Sequence, residues 1–105
     1  MMTRVVHCKK AAYNVYIGRT FGGYVSEGWG NPFVVGRDGD RKEVLRKYRR
    51  WLMGQPELLA RIPELCGKIL GCWCKPKACH GDVLAELANS TGLVRLLRDG
   101  CSEEI

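Results

Sequence analysis

Two short runs near the start of the chain carry β-branched and aromatic residues in strand-like patterns. "RVVHC" (4–8) and "YNVYIG" (13–18) both read as strands, because branched and ring side chains suit a pleated, half-buried surface. "KKAA" between them is short enough for a hairpin, which would make the two strands neighbours. The clearest helix is "DRKEVLRKYRRWLMG" (40–54), where Val44, Leu45, Tyr48, Trp51 and Leu52 fall on one stripe. Asp40 is placed to cap it, Glu43 to complete a capping box, and Gly54 to end it. "PELLARIPEL" (56–65) opens with Pro56 at a favourable first position, and Pro63 breaks or restarts the turn.

"KILGCW" (68–73) reads as a short apolar strand, and "HGDVLAELAN" (80–89) as a helix with Val83, Leu84, Leu87 and Ala88 inward. "NSTG" interrupts that pattern, "LVRLLRDG" predicts a last short helix, and "CSEEI" a frayed tail. Residues 19–39 hold six of the thirteen glycines and read as a long loop containing at most a short "FVV" strand. Long loops in compact domains tend to carry function. The order strand, strand, loop, helix, helix, strand, helix predicts an α/β domain: a small single-layer sheet with flanking helices. A crossover connection would set 68–73 parallel to an earlier strand.

Composition adds limits. The 105 residues, 46% hydrophobic and 27% charged, predict a single domain spanning 1–105. No apolar run approaches the roughly 18–20 residues of a membrane span. The start "MMTRVVHCKK" lacks a secretory apolar core, so a cytoplasmic location with no membrane partner is expected. Cytoplasmic thiols stay reduced, so six cysteines point to metal or chemistry rather than to disulfides. The net charge of +6 favours an anionic small molecule or nucleic acid as partner. Lys42, Arg46, Lys47, Arg49 and Arg50 on the 40–54 helix are read either as a solvated face or as a phosphate-backbone footprint.

The chemistry concentrates in "GCWCKPKACHGD" (71–82). This stretch spans a strand end, a loop and a helix start, a Rossmann-like junction of the kind where open α/β sheets bind ligands. Unpaired N–H groups at a helix N-terminus attract anions and lower a thiol's pKa, and Lys75 and Lys77 add to both tendencies. Cys72, Cys74 and Cys79, with His80 as a fourth donor, make a Cys3His zinc set in C-x-C-x4-C spacing. That spacing resembles the zinc segment following some methyltransferase SET domains. Should Cys79 and His80 point apart, Cys66, Cys8 or His7 would have to supply the fourth ligand. A second reading makes Cys74 or Cys79 a poised nucleophile, and a third makes the cysteines small buried packing residues. Asp82 or His80 can instead cap the helix. Gly22-Gly23 offers a weak phosphate cradle with no Walker A or dinucleotide fingerprint around it.

"VYIGR", "WGNPFVVGRDG" and "LGCWCKPKACHGDVLAELAN", taken together, resemble an uncharacterised domain family of phages and actinobacteria. Its hallmarks are an IGR/WGNPF segment and a CWC-x-P-x-x-CHG(D) segment. The likeness covers about residues 4–90 and leaves 91–105 as a C-terminal extension. It implies no activity, but it directs attention to Arg19, Trp29 and Asn31 in the first segment and to the cysteines, His80 and Asp82 in the second.

Arg19, at a strand end, can grip phosphate or carboxylate with a fork of donors, or form an ion pair with Asp82 or Glu27. Asn31 before Pro32 is a turn former or a base-edge reader, and Trp29 a stacking platform or a core residue. The expected function is therefore a cytoplasmic, phage-related domain, in host cytoplasm if phage-encoded. It would bind an anionic nucleotide-like or nucleic-acid ligand through Arg19, Trp29, Asn31, Lys75, His80 and Asp82. Zinc is the one cofactor expected. The rivals are a cysteine-dependent enzyme acting on a nucleotide or nucleoside through Cys74 or Cys79, and a module that binds nucleic acid or a host protein.

Overall fold

The computed structural model describes residues 2–90. Three strands, β1 (Arg4–His7), β2 (Val15–Tyr16) and β3 (Ile69–Cys72), form one sheet in the order β1-β3-β2 with both pairings parallel. The protein is thus a small α/β structure with a parallel sheet, and the 68–73 segment is parallel to earlier strands as expected. The hairpin is corrected. Parallel strands cannot be joined by a tight hairpin, and β3 lies between the first two strands.

The chain between β1 and β2 must therefore cross β3, and one residue makes room for it. Tyr13 lies over Gly71, where an added Cβ would meet the ring at 2.7 Å. Asn14 then fastens the crossing to the start of β3. Its N–H donates to the Ile69 carbonyl at 2.7 Å, and its Oδ1 accepts from the Ile69 N–H at 2.8 Å. No FVV strand forms among the described residues; the Val34 N–H is taken instead by the Asp38 carboxylate at 2.8 Å.

Helix α1 (Arg41–Met53) follows its apolar stripe, burying Val44, Tyr48 and Leu52. Asp40 caps it by accepting from the Glu43 N–H at 2.8 Å, but the Glu43 carboxylate pairs with Arg46 at 3.0 Å and does not close the expected box. Pro63 does restart the chain: α2 (Pro56–Leu59) stops short, and a 3-10 turn (Ile62–Leu65) follows. Helix α3 (His80–Ala88) lies on the sheet so closely that a Cβ at Gly81 would stand 2.6 Å from Ile17 Cδ1 and 2.9 Å from Val5 Cγ1.

Between sheet and helices sits a core of Ile17, Trp29, Tyr48, Leu52, Ile62, Leu65, Leu70 and Leu84. Each large aliphatic group buried there contributes about 1.5–3 kcal/mol. Thr3 and Asn89 exchange backbone and side-chain bonds at 2.9 and 3.0 Å, tying the start of β1 to the end of α3. The last helix expected over 93–100 and the 91–105 extension lie outside the described residues.

Candidate functional site

β2 and β3 end at the same sheet edge, where α3 begins. A cavity of about 480 Å³ opens there. Its walls come from four stretches. β2 and its exit give Tyr16, Gly18, Arg19, Thr20 and Phe21; the long loop gives Asn31 and Phe33–Val35; the start of α1 gives Arg41, Val44 and Leu45; the junction gives Cys72–Cys74, Cys79 and His80. Residues as distant in sequence as Tyr16 and His80 thus meet in one lining. Both arginines are cationic, and no carboxylate stands among the lining residues.

Arg19 first serves the wall itself. Its Nε donates to the Asn31 carbonyl at 2.9 Å and its Nη2 to the Phe33 carbonyl at 3.0 Å. A guanidinium carries five N–H donors, so three remain. It pairs with neither Asp82 nor Glu27: Asp82 belongs to Lys75 at 2.6 Å, and Arg61 reaches the Glu27 carbonyl at 3.1 Å. Asn31 is a turn former, its Oδ1 accepting from the Phe33 N–H at 2.9 Å.

Trp29 is 1% exposed and off the cavity wall, so of its two expected roles it takes the core one and does not stack on a ligand. Its carbonyl accepts from the buried Tyr48 hydroxyl at 2.8 Å, and Arg61 covers its ring at 4.9 Å. Lys75 and Asp82 also stand off the lining. Asp82 caps α3 by accepting from the Cys79 N–H at 3.1 Å, and Lys75 braces it.

Cys72 Sγ and Cys79 Sγ lie 3.2 Å apart in the buried floor, and Cys74, less buried, completes the trio. Hydrogen bonds from the Cys72 and Cys79 thiols, and then the Arg41 guanidinium, hold the Cys74 thiol well below its usual range. Cys79 is pushed up, because its proton is shared toward Cys72 and Cys74. Among the described residues, no group of three or more His, Cys, Asp and Glu side chains is set out as a metal site. Two sulfurs on one tetrahedral zinc stand about 3.8 Å apart, wider than the 3.2 Å between Cys72 and Cys79.

His80 is buried, with its Nε2 donating to the Ile17 carbonyl at 2.6 Å and its ring against Tyr48 at 5.0 Å between centroids. Burial, aided by Arg19, pushes its pKa down and keeps it neutral. With Nε2 protonated, Nδ1 keeps its lone pair. Of the reserve ligands, Cys66 precedes β3, at the end opposite Cys72, and is held in a disulfide, which corrects the expectation of uniformly reduced thiols and removes it as a ligand. His7 Nδ1 accepts from the Lys9 N–H at 3.1 Å. Cys8 is buried, and its N–H donates to the Cys72 carbonyl at 2.8 Å. None of the three lines the cavity.

Arg41 is the lining cation that the sequence reading missed. It sits at the first turn of α1, where the helix dipole disfavours a cation. That misfit was a usable signal: the side chain leaves its helix, and Nη1 donates to the Ala78 carbonyl at 2.9 Å.

Comparison with known proteins places this arrangement in a lineage. A family profile described as a domain of unknown function, DUF4326, matches residues 3–90. The chain belongs to the DUF4326 family. It is 36% identical over 104 residues to an uncharacterised 12.4 kDa protein in the nrdA-td intergenic region of Enterobacteria phage T4, covering 93% of this chain and 83% of that protein. It is also 36% identical over 86 residues to an uncharacterised protein of Acanthamoeba polyphaga mimivirus, covering 70% of this chain and 65% of that protein. No solved structure matches this DUF4326 chain. Among its described residues, no helix is long and apolar enough to cross a membrane.

Proposed function

We propose that this DUF4326 domain binds an anionic, nucleotide-like ligand in the cavity at the sheet edge, in the cytoplasm of the cell that makes it. One observation carries the reading: the lining of the 480 Å³ cavity holds two arginines and no carboxylate. Cavities of about 300–1,000 Å³ take small ligands, with a few polar groups fixing orientation. In this reading Arg41 and the spare donors of Arg19 hold the anion, and aromatic and aliphatic walls hold the body. The basic face of α1 is secondary, since Arg46 pairs with Glu43 at 3.0 Å and Arg49 with Glu86.

The test is equilibrium binding of nucleoside monophosphates to the full chain, to Arg41→Ala, and to a variant with Arg46, Arg49 and Arg50 changed to glutamate. The expected result is a loss of tenfold or more for Arg41→Ala and little change for the triple variant. Binding that vanishes only in the triple variant and falls steeply with salt would replace this reading with nucleic-acid binding along α1.

Two observations bear on the thiol trio. Cys74 lies on the cavity wall beside Arg41 and two thiol donors, which favours a nucleophilic sulfur next to the ligand. His80 favours zinc, because metal-ligating histidines donate their other ring N–H to a carbonyl, as Nε2 does to Ile17. Binding through Nδ1, Cys72, Cys74 and Cys79 would require the 3.2 Å sulfur pair to open by about half an ångström. Zinc there would brace the junction. Elemental analysis of protein purified without chelator, with thiol counts before and after chelation, separates the two. One metal ion with shielded thiols supports zinc, and no metal with one fast thiol supports the nucleophile.

A further inference from the structure

Stacking on a base was one of two roles open to Trp29, and that ring is buried. Another aromatic group stands at the cavity mouth instead. Phe21 is 67% exposed, yet it is held in place by reciprocal backbone bonds with Tyr24, both at 2.9 Å. Gly22 and Gly23 between them have φ of +53° and +93°, and a Cβ on either would meet nothing within 4 Å. This is a tight two-residue turn standing free in solvent, and positive φ at both central positions is the geometry that favours glycine there. The Gly22-Gly23 pair therefore shapes a lip; it does not line the cavity.

The lip is anchored to the site. Phe21 meets Trp73 edge to face at 5.8 Å, and Tyr24 meets the same ring at 5.1 Å. The Trp73 indole N–H donates to the Tyr16 hydroxyl at 2.8 Å, which donates in turn to the Arg19 carbonyl at 2.6 Å. Ring contacts and two hydrogen bonds thus connect the aromatic lip to the Arg19 backbone. An isolated exposed phenylalanine needs no explanation. This one lines the same cavity as Arg19 and Arg41, with Trp73 beside it.

We infer that Phe21 is the stacking residue of the site and that the ligand is a nucleoside monophosphate unit, its base on Phe21 and its phosphate toward Arg41. The inference rests on the anion-binding reading of the cavity and names the ligand's second half. A planar π-face joined to an anion matches an exposed ring and two guanidinium groups on the wall of one cavity. A sugar phosphate would leave the ring unused. The same unit can come from a free nucleotide or from the phosphorylated end of a single strand.

The experiment is a binding series on the full chain and on Phe21→Ala and Phe21→Tyr. The probes are inorganic phosphate, ribose 5-phosphate, adenosine and uridine monophosphates, and a short 5′-phosphorylated oligonucleotide. Base stacking on an aromatic side chain is worth about 5- to 150-fold in affinity. Both monophosphates should therefore exceed ribose 5-phosphate by at least about fivefold. Phe21→Ala should erase that advantage without weakening ribose 5-phosphate, and Phe21→Tyr should keep it.

An oligonucleotide that binds more tightly than the mononucleotides, with the same dependence on Phe21, identifies a strand end as the source. One that binds no more tightly identifies the free nucleotide. Equal binding of monophosphate and ribose 5-phosphate, or a base advantage that survives Phe21→Ala, overturns the inference while leaving the anion site standing. No binding of any probe overturns the anion site itself.

Discussion

Replacing Arg19 with alanine separates two roles that coincide at that position. The guanidinium makes bonds of 2.9 and 3.0 Å to the Asn31 and Phe33 carbonyls, joining the exit of β2 to the long loop. A hydrogen bond from a charged donor contributes about 1.5–3 kcal/mol when well buried. Arg19 is largely exposed, so water recovers much of that on removal. A net loss of about 1–2 kcal/mol for the two bonds together follows.

For a domain of this size that corresponds to a fall in Tm of roughly 5–10 °C. Arg41→Ala gives up an exposed bond to Ala78 and the interaction with Cys74, and should cost about 1 kcal/mol or less. Thermal unfolding and ligand titration on the same samples make the comparison. Arg19→Ala should lose stability and binding together, Arg41→Ala mainly binding. Arg19→Lys should fall between wild type and alanine in Tm, because one ammonium cannot span both carbonyls as a fork does. A Tm for Arg19→Ala within a degree or two of wild type refutes the clamp, and any lost affinity would then belong to direct contact.

Two other outcomes are expected. Tyr48→Phe leaves the buried Trp29 carbonyl without its 2.8 Å donor, a loss of about 1–3 kcal/mol readable as a lower urea midpoint; an unchanged midpoint would mean another donor reaches that carbonyl. Acid should destabilise the fold through His80, whose folded pKa is lowered chiefly by burial. A lowered folded value means the stabilisation is complete above the unfolded pKa of about 6.5 and is lost as pH falls toward the folded value. In His80→Gln that part of the pH dependence of the urea midpoint should vanish, and its persistence would assign the slope to other groups.

The sequence made the elements legible where one local pattern decided them. The 40–54 stripe with Asp40 at its head could be little other than α1, and Pro63 had to interrupt the next run. Strand order was not legible, because nothing within residues 4–18 reports that β3, over fifty residues later, will enter between β1 and β2. Gly71 was the available trace: a glycine in an apolar strand marks a close approach, here by the Tyr13 ring.

The site divides the same way. The dense 72–80 segment announced itself by residue type, and Cys72, Cys74, Cys79 and His80 do share one cavity with Arg19 and Asn31. Lys75 and Asp82 looked equally chemical, but they bond to each other, and capping α3 absorbs the carboxylate. Burial decided the aromatics. Trp29 and Phe21 both sit in the glycine-rich loop with similar neighbours, yet one closes the core under Arg61 and the other stands at the cavity mouth. That difference depends on which way the loop folds over α1. The contacts that set it, Tyr48 to Trp29 and Arg19 to Phe33, are long-range and have no counterpart in local spacing.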